Sequence, residues 1–331
     1  MEKRMKRTAF ILCVCALGFS LAACERREVD PAEAVANFPS RPITIIVPPA
    51  AGGGTDILVR ALAPALRDVL GQNVIVVNRP GAGGAIGFSS GARENPDGYS
   101  IIALVPELIA VPHVANVDFT YRDFDIIAMV NSTFGTLSVN ANAPYQTVQE
   151  FVEYARRYPG TIRFSNSGIG GNWHILAAAF ASHADINVIH VPFDGGGPSA
   201  IAVAGAHVEA TTASAQEMDI HVQAGNIRIL CIFSPERDPS FPDVPTAAEV
   251  GFPEPILTIF RGFGVPRGTH PEIIAILADA FRQVIEKPEI ISFMQTNHFT
   301  IDYRNAGDFL ELIQRENEIY REQAEALGLR Q

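Results

Sequence analysis

The amino-acid sequence predicts an α/β protein with mostly parallel sheets, and two observations lead to this prediction. Short apolar runs rich in β-branched residues, such as Ile43 to Val47, alternate along the chain with longer segments of helical periodicity. A strand, a glycine loop and a helix follow one another four times, at residues 43–57, 74–86, 162–175 and 188–200. Because ligands bind beyond the carboxyl ends of strands in open α/β sheets, these repeated loops predict a binding cleft.

Apolar runs and the turn residues between them place the individual elements. Strands are expected at residues 43–47, 73–77, 100–105, 126–130, 136–140, 162–165, 188–191 and 227–233. Helices are expected at residues 57–70, in the stretch before Asn95, from Thr147 to Arg157, at 173–184, from Pro198 onward, and at 271–286 and 306–327. We expect the Thr147 hydroxyl to cap its helix and Pro198 to be the first residue of its own.

The loop between the first strand and the first helix has the features of an anion-binding site. Residues 48–54 carry no bulky side chain, and Thr55 or Asp56 is placed to cap the helix that follows. Free amides at a helix N-terminus attract anions, and glycines allow a ligand close to the backbone. A phosphate P-loop is excluded because no Gly-Lys-Ser/Thr follows. A tight turn without a ligand is the alternative interpretation.

The first 23 residues have the pattern of a secretory signal peptide. Four basic residues precede an apolar run, Ala9 to Ala23, that is too short for a membrane span. The run ends in Leu21-Ala22-Ala23-Cys24, which resembles a bacterial lipobox and predicts cleavage before Cys24 and lipidation of its thiol. Residues 24–37 then form a polar tether, and the protein is expected in the periplasm, anchored to a membrane. An ordinary signal that happens to end at a cysteine is the alternative.

Charge and cysteine usage exclude several functions. A formal net charge of −11, with no basic patch, argues against a nucleic-acid partner. About 300 residues remain after signal removal, enough for two domains with their own cores. Cys231 is the one cysteine beyond Cys24, so no disulfide is expected in the lipidated protein, and we expect Cys231 to be buried. The scattered histidines do not have the spacing of a zinc site, so neither a metal nor a cofactor is predicted.

Seven segments of the chain resemble the solute-binding proteins of tripartite tricarboxylate transporters, the Bug or TctC-like family. They are PSRPITIIVPPAAGGGTDILVR (39–60), VVNRPGAGGAIG (76–87), PDGYS (96–100), HVPFDGGGPSA (190–200), AGNIRIL (224–230), FPDVPTAAEVGFP (241–253) and RGFGVPRGTH (261–270). The resemblance implies a two-domain, hinged fold of the periplasmic-binding type II (Venus flytrap) class. It also implies a small carboxylate captured in the cleft between the domains, handover to a membrane permease, and no chemistry on the ligand. We expect lobe 1 at 38–139 plus 256–331, lobe 2 at 140–255, and a monomer.

The resemblance also implies which residues hold the ligand. The matching positions are Ala51, Gly52, Gly53, Thr55 and Asp56 in the first loop, Ser167, Gly168, Ile169, Gly170 and Asn172 in the facing loop, and Asp194 and Gly195 in a third loop. Asp194, and Glu107 just past the third strand, depart from the family pattern. Two acids near an anion site would repel a second carboxylate. Our hypothesis is a monocarboxylate or a ligand with a cationic or hydroxyl group; the alternative is that both acids face solvent.

Other functions have weaker support in the sequence. Gly87-Phe88-Ser89-Ser90-Gly91 matches a hydrolase motif, but Ser89 falls in the middle of a predicted helix, where no nucleophile elbow forms. The glycines from Gly81 to Gly87, with Glu107 downstream, approximate a dinucleotide fingerprint that fails at Ile86. We therefore expect no enzyme. A receptor that reports its ligand to a signalling partner is the alternative to transport. Arg261 is expected to order the hinge.

Overall fold

A computed structural model describes the chain at residues 35–168, 170–193, 195–253 and 257–329. The described residues from Pro39 onward form one compact unit, which contains every element named below. The predicted signal peptide, Cys24 and most of the tether lie outside the described residues, as do Ile169 and Asp194.

The strands are β1 (Ile43–Val47), β2 (Val74–Asn78), β3 (Ser100–Leu104), β4 (Phe124–Phe134), β5 (Thr136–Asn140), β6 (Ile162–Asn166), β7 (Val188–Pro192), β8 (Ala210–Thr211), β9 (Ile227–Ile232), β10 (Thr258–Pro266) and β11 (Ile301–Asn305). The α-helices are α1 (Gly54–Leu70), α2 (Ala85–Ala92), α3 (Glu107–Ala110), α4 (Val148–Arg157), α5 (Asn172–His183), α6 (Gly196–Ala204), α7 (Ala215–Gln223), α8 (Pro271–Ile285), α9 (Pro288–Thr296) and α10 (Ala306–Ala326).

These strands form two mixed sheets. The six-stranded sheet has the order β11-β4-β10-β3-β1-β2, and the five-stranded sheet has the order β7-β6-β8-β5-β9. β1 runs parallel to β2 and β3, and β6 runs parallel to β7 and β8, while β10, β11 and β5 form antiparallel pairs. The expectation of mostly parallel sheets is wrong, because β10 returns from the second half of the chain and inserts between β3 and β4, antiparallel to both.

Most predicted elements are present, with ends shifted by a few residues. β1 and β5 have the predicted limits, and Thr147 caps α4 through its hydroxyl, which accepts from the Glu150 amide. The helix expected to open at Pro198 begins at Gly196. β10, β11, α7 and α9 were not predicted. The sequence of β10 is TIFRGFGVP. Its arginine, two glycines and proline break the periodicity of a strand, so the buried strand was not recognised.

Helices cover both faces of the six-stranded sheet and fix its shape. Phe281 of α8 stacks on Phe263 of β10, with ring centroids 4.1 Å apart. Phe309 of α10 meets Phe260, on the same strand, edge to face at 5.2 Å. Successive residues of a strand point to opposite faces of a sheet, and Phe260 and Phe263 are three residues apart, so their side chains lie on opposite faces. β10 is thus covered on both faces, which explains its almost complete burial.

The chain crosses between the sheets twice, and this divides the fold into two lobes. β4 ends at Phe134 in the six-stranded sheet, and β5 begins at Thr136 in the five-stranded sheet. The chain returns between β9 and β10. We call the six-stranded sheet with its helices the first lobe and the five-stranded sheet with its helices the second lobe. The predicted segment 38–139 thus ends inside β5, which pairs in the second lobe.

Gly135, the residue at the first crossing, leaves no space for a side chain. An added Cβ would overlap the Leu176 side chain and lie 2.7 Å from the Thr212 carbonyl oxygen. We expect Gly135→Ala to lower the free energy of unfolding by about 1–3 kcal/mol, the usual cost of overpacking. Gly197→Ala is the matched control, because its Cβ would lie 3.8 Å from the nearest atom. Urea denaturation measures both; equal stability of the two variants would contradict the prediction.

Candidate ligand-binding cleft

A cleft lies between the lobes, where the carboxyl ends of the parallel strands meet. Loops after β1, β2 and β3 border it from the first lobe, and loops after β6 and β7 border it from the second. The lining residues include Pro48, Pro49, Ala50, Ala51, Gly53, Gly54, Thr55, Gly81, Gly84, Val105, Glu107, Ser167, Asn172, Trp173, Gly195, Gly196, Gly197, Pro198, Glu217, Ile259 and Arg261. All four glycine loops of the sequence therefore border one cleft, as the repeated motif predicts.

The first loop is capped differently from the prediction. α1 begins at Gly54, its N-cap is Gly53, and no side chain caps it; Thr55 and Asp56 lie inside the first turn. The Asp56 carboxylate is buried and accepts hydrogen bonds from the Gly52 amide at 2.9 Å and from Arg60 at 2.9 Å. These partners hold the pKa of Asp56 below its ordinary value against the opposing effect of burial. Asp56 thus fixes the loop from beneath.

Three helix N-termini point toward the cleft. α1 from the first lobe and α5 and α6 from the second each contribute their first residues to the lining. The first amides of a helix have no acceptor within that helix, and the helix dipole adds partial positive charge there. The lobes come close at this point, since a Cβ on Gly197 would lie 3.8 Å from the Gly52 carbonyl oxygen. The three helix N-termini therefore bring partial positive charge to the cleft without a lysine.

The loop after β6 is held by hydrogen bonds within itself. The Gly168 amide donates to Asn166 Oδ1 at 3.1 Å, and the Gly170 amide donates to His174 Nδ1 at 3.0 Å. Ser167 Oγ donates to Asn172 Oδ1 at 3.2 Å, and both side chains line the cleft. The amides of Gly168 and Gly170 are therefore engaged inside the loop, which presents side chains to the cleft from a pre-formed backbone.

Three charged residues form the floor of the cleft. Glu107 begins α3, Glu217 lies in the first turn of α7, and Arg261 lies on β10. Arg261 is only 4% exposed; its Nη1 donates to Asn131 Oδ1 at 2.6 Å and its Nε to Thr55 Oγ1 at 3.3 Å. Burial, with a smaller contribution from the charge of Glu217, raises the pKa of Glu107 to about 7, although its own backbone amide and Arg261 oppose the shift. Arg261 was expected near the hinge, and Glu217 was not predicted as a site residue.

The structure separates the predicted ligand-binding residues into two groups. Those that line the cleft are Ala51, Gly53, Thr55, Glu107, Ser167, Asn172 and Gly195. The second group makes the hydrogen bonds, described above, that hold the loops in place: Gly52, Asp56, Gly168 and Gly170. Glu217 gave one signal in the sequence: Ser214 precedes it by three residues, the spacing of a capping box, which the structure contains.

Features that suggested other functions have structural explanations. Ser89 lies within α2 and donates to Asp118 Oδ1 at 2.5 Å, away from any strand-to-helix turn. Arg79 forms an ion pair with Glu94 at 2.9 Å. Cys231 is buried in β9, as predicted, and burial raises its pKa to about 12. Within the described part of the chain, no group of three or more His, Cys, Asp or Glu side chains is placed to hold a metal ion.

Comparison with known proteins gives a consistent answer. A family model described as "Tripartite tricarboxylate transporter family receptor" matches residues 58–329. The chain is 30% identical over 258 residues to BugT of Bordetella pertussis, covering 77% of this chain and 79% of that protein. It is similar to the structure of MatC from Rhodopseudomonas palustris with bound malate, at 25% identity and a TM-score of 0.82, covering 86% of this chain and 99% of that one. A second R. palustris structure, with adipate, gives 26% identity and a TM-score of 0.83, covering 88% and 98%.

Two mixed sheets joined by two crossings, with a cleft between them, define a periplasmic binding protein of the two-lobe type. Within that class, the chain belongs to the tripartite tricarboxylate transporter receptor family. Members of this family are periplasmic solute-binding receptors and not enzymes, so the resemblance seen in the sequence is confirmed. Among the described residues, no helix has both the length and the apolar character needed to span a membrane.

The hydrogen bond from the Gly170 amide to His174 makes the stability of the loop after β6 depend on pH. His174 is buried against His190, with ring centroids 4.5 Å apart, and burial together with that neighbour lowers its pKa to about 4. The unfolded chain has the ordinary value of 6.5, so it binds a proton at higher pH than the folded chain does. The contribution of His174 to stability is therefore complete above pH 6.5 and is lost as the pH falls toward 4.

We expect His174→Asn, which keeps a hydrogen-bond acceptor but cannot titrate, to reduce this dependence. The loss of unfolding free energy between pH 7 and pH 4.5 should be smaller in the variant by about 2 kcal/mol. His207→Asn, at an exposed histidine, is the control and should follow the unmodified protein. Urea denaturation at a series of pH values measures the effect; parallel curves for all three proteins would contradict it.

Proposed function

We propose that this receptor captures a small organic carboxylate in the cleft between its lobes. The observation that supports this most is the convergence of three helix N-termini and the buried Arg261 on one cleft. Unpaired amides, helix dipoles and a guanidinium all favour an anion. The related structures that hold malate and adipate support the same ligand class.

The two lobes contribute different groups to the ligand. On the first lobe, Gly53, Gly54 and Thr55 supply backbone amides, and Thr55 adds a hydroxyl. On the second lobe, Ser167 and Asn172 supply side chains, and Gly195 opens the third loop. Ala51, Gly52, Ile169 and Asp194 complete the proposed set by their match to the family pattern. Glycine at positions 53, 54 and 195 lets a carboxylate approach the backbone directly.

Ligand capture is coupled to closure of the lobes. A ligand that contacts both lobes stabilises the closed arrangement by its differential affinity for that state. The two crossing segments are joined by a hydrogen bond from the Phe233 amide to the Gly135 carbonyl at 2.9 Å, which supports a hinge at this point. Only two segments need to change their backbone angles during closure. The closed receptor then delivers its ligand to the permease of the transporter, as a monomer.

A thermal unfolding experiment tests the ligand class. The full chain, freed of co-purified ligand, is compared with and without mono-, di- and tricarboxylates. A ligand at a hundred times its Kd should add about 2.7 kcal/mol of stability and raise the Tm by a few degrees. Ser167→Ala should weaken the binding of the best ligand by about three- to tenfold, the range for one hydrogen bond. Ser240→Ala is the control, because Ser240 is exposed and does not line the cleft.

A carboxylate receptor would be excluded if no carboxylate stabilised the protein and if native mass spectrometry of the freshly purified protein showed no retained small molecule. If Ser167→Ala and Ser240→Ala changed the Kd equally, the ligand would lie away from the loop after β6.

We further propose that the mature protein is anchored to a membrane through a lipid on Cys24. Its support is the Leu21-Ala22-Ala23-Cys24 sequence after a basic and apolar leader. In phase partition with a detergent, the unmodified protein should enter the detergent phase, and Cys24→Ser should stay in the aqueous phase. Cys231→Ala controls for loss of a cysteine as such. Partition of the unmodified protein into water would refute the anchor.

A further inference from the structure

We propose that the cleft selects a zwitterionic ligand, with Arg261 and the α1 N-terminus holding its carboxylate and Glu107 and Glu217 holding a protonated amine. This inference rests on the proposed function and specifies the ligand class further. It depends on the three charged residues of the floor and on the bonds each of them makes.

Arg261 has an unused donor directed at the α1 N-terminus. Its Nη1 and Nε are engaged by Asn131 and Thr55, whereas Nη2 donates to no described residue. Nη2 packs against Gly54, where it would lie 2.8 Å from an added Cβ. A guanidinium beside a helix N-terminus brings together two regions of positive charge. An anion at this position satisfies both, so this end of the floor is suited to the ligand carboxylate.

Glu107 has a carboxylate without an assigned partner. It receives no hydrogen bond from another described residue; its own backbone amide is its only donor. Glu217 and Arg261 lie close enough to shift its pKa, and the buried Tyr320 hydroxyl of α10 is in turn affected by its charge. A carboxylate that is desolvated but unpaired is costly, and a cation supplied by the ligand removes that cost.

Glu217 brings a second carboxylate from the opposite lobe. Its Oε2 accepts from Ser214 Oγ at 2.8 Å and from the Ser214 amide at 3.1 Å. These bonds aim the carboxylate at Gly196, where any added Cβ would overlap it. Ser214 thus orients Glu217 while leaving its charge unneutralised by any described cation in direct contact.

The floor therefore contains one cation and two carboxylates, contributed by both lobes. A dicarboxylate would place its second negative charge near Glu107 and Glu217. A ligand with one carboxylate and one ammonium group matches the floor at both ends. Closure of the lobes also brings Glu217 toward the ligand, because Glu217 and Glu107 come from different lobes.

The test uses probe pairs that differ by one amino group: L-aspartate and succinate, L-glutamate and glutarate, L-alanine and propionate. Calorimetric titration of the full chain measures each Kd. In the best-bound pair, the aminated probe should bind at least about tenfold more tightly, as expected for a charged hydrogen bond. Glu107→Gln and Glu217→Gln should each remove most of this preference by weakening the aminated probe. Glu153→Gln, at an exposed glutamate, should leave it unchanged.

Proton linkage gives a second readout. Titration at pH 7 in buffers of different ionisation enthalpy measures the protons exchanged on binding. An ammonium group beside Glu107 lowers the pKa of that carboxyl and releases protons, whereas a second ligand carboxylate raises it and takes protons up. We expect release, and its loss in Glu107→Gln.

The outcomes separate this inference from the proposed function. Tighter binding of the non-aminated probes, or proton uptake, would overturn the zwitterion and leave a carboxylate receptor. If no member of any pair bound, this inference would fail, and the proposed function would then be decided by the full panel of mono-, di- and tricarboxylates. A preference for amines that survives in both glutamine variants would place the amine elsewhere and also overturn it.

Discussion

The guanidinium of Arg261 is buried where β10, β4 and α1 meet. Its hydrogen bonds hold these three elements together at the edge of the cleft. β10 lies between β3 and β4, so this charge is near the centre of the six-stranded sheet. Its bonds with Asn131 and Thr55 tie the first turn of α1 to that sheet. Burying a charge is costly unless its donors are used, and the side chains of β4 and α1 use two of them. Nη2, which donates to no described residue, gives the cleft a fixed positive charge in a protein that is otherwise acidic.

The two lobes differ in whether the backbone amides of their loops are available to a ligand. On the first lobe, the loop after β1 leaves the amides at the start of α1 available, because Asp56 reaches back to the Gly52 amide and holds the loop from below. On the second lobe, Asn166 and His174 accept from the amides of Gly168 and Gly170. That loop is pre-organised before a ligand arrives, which lowers the entropy cost of binding. In the proposed binding mode, the first lobe contacts the carboxylate mainly through backbone amides, and the second lobe adds side chains.

Both crossings between the lobes bear on how this site opens and closes. Gly135 is enclosed by Leu176 and the Thr212 carbonyl, both of the second lobe, so the first crossing is packed tightly on that side. Close packing of this kind resists continuous deformation and favours movement of each lobe as a rigid body. Arg261 of the charged floor lies on β10, the strand that follows the second crossing.

The sequence by itself determined the local pattern: the strand, glycine loop and helix units, the limits of β1 and β5, the Thr147 cap and the burial of Cys231. These features depend on neighbouring residues, so periodicity and turn chemistry reveal them. It also placed Ser167, Asn172 and Glu107 at strand ends, where a cleft forms. Only the tertiary structure decided what meets in that cleft. β10 was not predicted because its arginine, glycines and proline break strand periodicity, while the residues that bury it, Phe281 and Phe309, belong to other elements. For the same reason, the sequence could not join Arg261, Glu107 and Glu217, which come from three distant segments and meet only when both lobes are folded.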